Sequence, residues 1–329
     1  MQILFFPMTR WRRTAVLLAG MLALAGFAAA ATPAGGEDLT TPSLTAGQLA
    51  PASPELIDRS EEEHFTSEWI TVHWRADDPI YLFVVLPTRI KRPPVVLYLY
   101  DYPAETDIFR DDDWCARVTA GGYAAVGFVP ALNGHRYHDR PMKEWFVSEL
   151  QEALAKSAHD VQMTLTYLAG RGDIDTDRAA IFGVGSGAAI AVSAASADTR
   201  IRVVDVVNPW GDWQEWLSKS PVVPEEERAA FVRPEFLRPL AAFDPAVLLP
   251  KLAARVRLSQ SPVSSTPKEA AAKIRAALPR GAEFHAFTDE AEFDALAAGR
   301  GQGLEWAKAQ LRGAPAGRTG GSANRAGAK

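Results

Sequence analysis

The sequence predicts an α/β fold with a mainly parallel central sheet, helices on both faces and an inserted cap. Three observations carry this prediction. Between residues 59 and 312, strand-like apolar runs alternate with helix-like segments, the rhythm of successive β-α-β units. The runs at 95–100 and 179–182 are apolar throughout, as strands covered on both faces are. At about 208–245 tryptophans, prolines and charges break the rhythm, which resumes at Arg255.

Each element follows in order. Strands are expected at 69–74, 80–86 and 95–100. Asp111, Asp112 and Asp113 put negative charge at the start of a helix reaching Ala120, where the helix dipole favours it. Gly121 and Gly122 turn the chain into a strand at 123–129. After Pro141 a long helix carries the stripe Phe146, Leu150, Leu154, Val161, Leu165 and Leu168, and Gly170 and Gly172 stop it. The strand at 179–182 enters the turn Gly183-Val184-Gly185-Ser186-Gly187, and a helix of small residues follows at 188–197. A strand at 203–207 precedes the cap. A strand at 255–258, a helix at 268–278, a strand at 283–287 and a helix at 303–311 complete the domain. No internal repeat is visible.

The flanks read differently. Arg10, Arg12 and Arg13 precede an uncharged, apolar run at 15–31 that ends in small residues, the pattern of a cleaved signal peptide at 1–30. An uncleaved anchor is the alternative, since the run is nearly long enough to span a bilayer. Residues 31–58 are rich in Pro, Ala, Thr, Ser and Gly and read as a linker. Residues 313–329 read as a disordered tail. The protein is therefore expected in the periplasm or outside the cell. Removal of residues 1–30 takes the net charge from −5 to −8, which argues against nucleic-acid binding, because that relies on Lys and Arg. Membrane contact is expected only through a retained signal segment. Cys115 is the sole cysteine, so no intrachain disulfide can form.

The turn at 183–187 matches G-x-S-x-G, a sharp strand-to-helix elbow, in its outer glycines but not at its centre. The turn and the order of elements resemble the α/β-hydrolase family, in its dienelactone-hydrolase and esterase/peptidase branch. Gly122-Tyr123-Ala124-Ala125-Val126 and Asp173-Ile174-Asp175-Thr176-Asp177-Arg178 add to the resemblance, which covers about residues 67–312. It implies a nucleophile at the elbow, an acid after a late strand and a histidine after the last. The nucleophile position is Gly185, which has no side-chain oxygen. The loop at 259–267 holds no Asp or Glu, and the stretch at 288–293 holds no His. The resemblance also implies an oxyanion hole, made here by the N–H of Ser186 and that of Asp101 or Tyr102.

These departures predict a non-catalytic binder of a small acyl, ester or carboxylate ligand, or of a protein partner. Its contacts are expected at Asp101, Tyr102, Gly185, Ser186, His135 and Trp210. No cofactor or metal is expected. The alternative is an active serine esterase or peptidase-like hydrolase using Ser186, with His135 or His138 as base. Ser186 also reads simply as a cap of the first helical turn.

Other patterns carry less. Gly183, Gly185 and Ala188, with Asp205 downstream, imitate a dinucleotide fingerprint, but several strands precede it and Asp205 falls mid-strand. His135 and His138, with Asp139 beside them, have metal-like spacing, but no further ligand is evident nearby, and they read as loop polarity. Asp173, Asp175 and Asp177 begin like a calcium loop, but Arg178 and Val184 stand at its required Gly and Glu positions. Trp210, Trp213 and Trp216 suit a ligand pocket and a small cap core equally.

Overall fold

The computed structural model describes residues 36–49, 53–75, 78–102, 107–132, 136, 149–261, 263–289, 291–293 and 305–312. The strands are β1 (Glu55–Glu61), β2 (Phe65–Val72), β3 (Ile80–Pro87), β4 (Pro94–Leu99), β5 (Ala124–Phe128), β6 (Asp175–Val184), β7 (Ile201–Val207), β8 (Arg255–Gln260) and β9 (Glu283–Ala286). They form one nine-stranded sheet in the order β1-β2-β3-β5-β4-β6-β7-β8-β9. β1 to β3 and the β3–β5 pair are antiparallel, and the pairs from β5 through β4 to β9 are parallel.

The helices are α1 (Asp112–Thr119), α2 (Leu150–Arg171), α3 (Ser186–Ala197), α4 (Trp213–Lys219), α5 (Glu225–Phe231), α6 (Pro234–Leu240), α7 (Pro245–Leu248), α8 (Lys268–Ala276) and α9 (Glu305–Arg312). Local chemistry sets several ends. The Asp111 side chain caps α1 by accepting from Trp114 N–H at 2.6 Å. Gly172 ends α2 in the left-handed region at φ 76°, where a Cβ is penalised.

Strand alternation divides the core. In and beyond β4, Leu97 and Leu99 face α2, α3 and α8, while Val96, Tyr98 and Tyr100 face α1 and α9. β4 is buried at every position, as its unbroken apolar run requires. Cys115 is buried on the α1 side.

The structure adds an element inside the segment expected to be a linker. β1 begins at Glu55, and nearly all of it is exposed. Its sequence, ELIDRSE, lacks the alternation by which a half-buried strand is read. Upstream, the described part of that segment packs on α2. Leu44 N–H donates to Gln162 Oε1 at 3.1 Å, Gln162 donates to Pro42 O at 2.8 Å, and Gln151 donates to Leu39 O. Glu37 meets Arg75 and the Nδ1 of His159. Burial alone would raise the Glu37 carboxyl, but the hydrogen bonds and charges of Arg75 and His159 outweigh it and hold it at about 2. Arg75 continues to Asp160 at 2.5 Å, and Asp160 to Arg136 at 2.9 Å. Arg136 closes the chain on Asp78 at 2.6 Å.

The expected cap, between β7 and β8, holds α4 to α7. Its tryptophans are core: Trp210, Trp213 and Trp216 are all buried, with Trp210 and Trp216 centroids 4.4 Å apart. Asp244 organises the segment by accepting from the N–H groups of Asp212 and Ala246, each at 2.9 Å, and of Trp213 at 3.3 Å.

Candidate functional site

The candidate site forms where β4 and β6 end side by side. Their parallel register pairs Leu99 with Gly183, so the chain just past β4 lies against the turn between β6 and α3. Each glycine of that turn is required by space. A Cβ on Gly187 would lie 2.3 Å from Leu99 O, and one on Gly183 would lie 2.6 Å from Gly187 O. Gly185 has φ 54° and ψ −115°, a conformation sparsely populated for residues with a Cβ. Its backbone is pinned on both sides: its N–H donates to Val207 O at 2.9 Å, and its carbonyl accepts from Trp210 N–H at 3.2 Å. The elbow geometry is therefore built, with backbone alone at its apex.

The N–H groups of Ser186 and Tyr102 converge there, as an oxyanion hole requires. Both donate to one atom, Oδ1 of Asp101, at 2.7 Å and 2.9 Å. Of Asp101 and Tyr102, between which the sequence left the second donor open, Tyr102 is the one whose N–H meets this atom. Asp101 instead supplies the acceptor, a role sequence reasoning did not assign. A Cβ added to Gly185 would lie 2.0 Å from Asp101 Cγ and 2.1 Å from each carboxylate oxygen. The carboxylate thus fills the space a side chain at 185 would enter.

Ser186 is fully buried. Its Oγ accepts from Tyr102 N–H at 3.0 Å, and its side chain also hydrogen-bonds the Asp101 carboxylate. Its hydroxyl serves this cluster, and no imidazole among the described residues reaches it.

Burial pushes the Asp101 carboxyl up to about 6, against the lowering effect of its bonds to Ser186 and Tyr102. The sign for stability follows. With an unfolded value near 4, the folded state holds the extra proton between about pH 4 and 6, so this group costs stability as pH rises through that window. Asp101→Asn keeps an acceptor but cannot ionise. Urea denaturation at pH 4 and pH 7 is expected to show the variant gaining on the wild type by up to about 3 kcal/mol at the higher pH. An unchanged difference between the two pH values would refute the assignment.

The other expected site residues, and the neighbouring carboxylates and imidazoles, are placed apart or lie elsewhere. Trp210, expected at a ligand surface, is fully buried, and its Nε1 donates to Ser265 Oγ at 2.9 Å. It packs in the cap core because Trp216 covers its ring. Tyr102 is half-buried beside the elbow. His135 and His138 lie outside the described residues. Asp212 is held by Lys273 at 2.5 Å. Asp205 is fully buried in β7 and takes a two-pronged contact from Arg257, at 2.6 Å and 2.8 Å, so it serves an internal ion pair. His285 stands exposed in β9, 3.5 Å from Glu292. Among the described residues no three His, Cys, Asp or Glu side chains are grouped to hold a metal, nor is any helix long and apolar enough to cross a membrane.

No family model and no curated protein matches the sequence. Solved structures do match the fold. Acetyl xylan esterase 1 from Thermoanaerobacterium aligns with a TM-score of 0.57 at 14% identity, over 77% of this chain and 89% of that one. An acetyl xylan esterase from Paenibacillus aligns at 0.55 and 15% identity, over 79% and 89%. A cold-adapted esterase from an Arctic intertidal metagenomic library aligns at 0.53 and 12% identity, over 78% and 99%. With the strand order, the mostly parallel sheet and the elbow after β6, these likenesses establish that the chain has the α/β-hydrolase fold.

Proposed function

We propose that this protein does not perform acyl transfer and instead binds a small acyl, ester or carboxylate ligand, or a protein partner. One observation carries the reading: the apex of the elbow is Gly185, and the Asp101 carboxylate occupies the space a nucleophile needs. Covalent catalysis requires an activated oxygen or sulfur at that point, with a base in hydrogen-bond reach. The stretches after β8 and β9 supply no carboxylate and no histidine at the positions the fold uses for them.

The test is direct. Hydrolysis of p-nitrophenyl acetate and p-nitrophenyl butyrate is expected to stay at the buffer rate, and a fluorophosphonate probe is expected to leave the protein unlabelled. Hydrolysis that disappears in Ser186→Ala would overturn the reading. It would favour the second one, a serine hydrolase using Ser186, for which the likeness to esterase structures speaks.

Export is part of the same proposal. It rests on the arginines and apolar run of residues 10–31. Amino-terminal sequencing of the protein from a periplasmic fraction is expected to begin near residue 31; an intact Met1 there would refute cleavage.

A further inference from the structure

We propose that Asp101 is a tethered occupant of the elbow site, and that a ligand's carboxylate or acyl oxygen binds Tyr102 and Ser186 only by displacing it. This rests on the non-catalytic reading above and names how its site is controlled.

The donors come from two separate segments, the loop after β4 and the first turn of α3, 84 and 85 positions apart in the pairs that join them. They are aimed at one point, and an anion is already bound there. That anion is the chain's own: Oδ1 of Asp101 takes both N–H groups. Donors fixed by the sheet register bind any oxygen of suitable size, since backbone N–H groups at a helix start favour negative charge without reading the rest of the molecule. The tethered carboxylate also excludes a side chain at residue 185, since a Cβ there would lie only 2.0 Å from Asp101 Cγ. Glycine at 185 and aspartate at 101 are therefore one arrangement. The burial that raises the Asp101 carboxyl makes its ion a costly resident, so an outside oxygen competes against a weakened incumbent.

The experiment titrates butyrate by calorimetry at pH 7.5 into the wild type, Asp101→Ala and Asp101→Asn. Asp101→Ala empties the site and is expected to bind butyrate at least tenfold more tightly than the wild type. Asp101→Asn retains an amide oxygen for the same N–H pair without the cost of a buried ion, and is expected to bind butyrate no more tightly than the wild type. Should the alanine variant fail to fold, Asp101→Ser, too short to fill the site, takes its place with the same expectation. Binding no tighter than wild type in the shortened variant, or equal tightening in the Asn variant, overturns the proposal. Ester hydrolysis by the wild type would sink the non-catalytic reading instead, so the two failures are distinguishable.

Discussion

Gly185→Ala is expected to destabilise the protein by roughly 2–6 kcal/mol, combining the strain of an L residue at positive φ with overpacking. The added methyl meets the Asp101 carboxylate at 2.0–2.1 Å, at a residue whose φ is 54°. The elbow cannot relax to relieve this, because the Gly185 N–H is bonded to Val207 and its carbonyl to Trp210. Asp101 can move, but then Ser186 and Tyr102 lose their shared acceptor. A urea midpoint and slope give the measurement. A loss below about 1 kcal/mol would show that the carboxylate yields freely and does not define the site. Pairing the change with Asp101→Ala is expected to recover part of the loss, since neighbours that compete for one space do not add.

Asp160→Ala is expected to cost about 3–5 kcal/mol, the usual penalty for removing one member of a buried ionic group. The Asp160 side chain is fully enclosed, and its two oxygens separately meet Arg75 and Arg136. Its loss leaves the Arg136 guanidinium, 1% exposed, with Asp78 as its remaining carboxylate among the described residues. Arg75 retains Glu37, and through it the segment that packs on α2. Asp160→Asn keeps hydrogen-bond acceptance and is expected to cost less than the alanine. Chemical denaturation of both variants checks the order; equal losses would show that the lost charge alone, and not the remaining acceptor or packing, sets the effect.

Much of this architecture is legible from local chemistry. Runs such as 95–100 read as buried strands because hydrophobicity is continuous there. The elbow reads from three alternate glycines because close backbone approach at 183 and 187, and positive φ at 185, each exclude a Cβ. β1 escapes notice because a strand exposed along nearly its whole length has no apolar alternation to reveal it. The packing of residues 37–44 on α2 joins positions more than a hundred residues apart, such as Leu44 and Gln162, through polar contacts that leave no periodic trace. Trp210, Trp213 and Trp216 announced an aromatic cluster, but composition does not say whether rings face a ligand or each other.

The sequence by itself determined the α/β class, the position of the elbow and the absence of any side-chain oxygen at residue 185, because each follows from the residue types in one short stretch. Only the tertiary structure decided what stands in that place. Asp101 reaches the apex because β4 and β6 run parallel with Leu99 opposite Gly183, and a register between strands some eighty residues apart is a property of the assembled sheet, not of either strand alone.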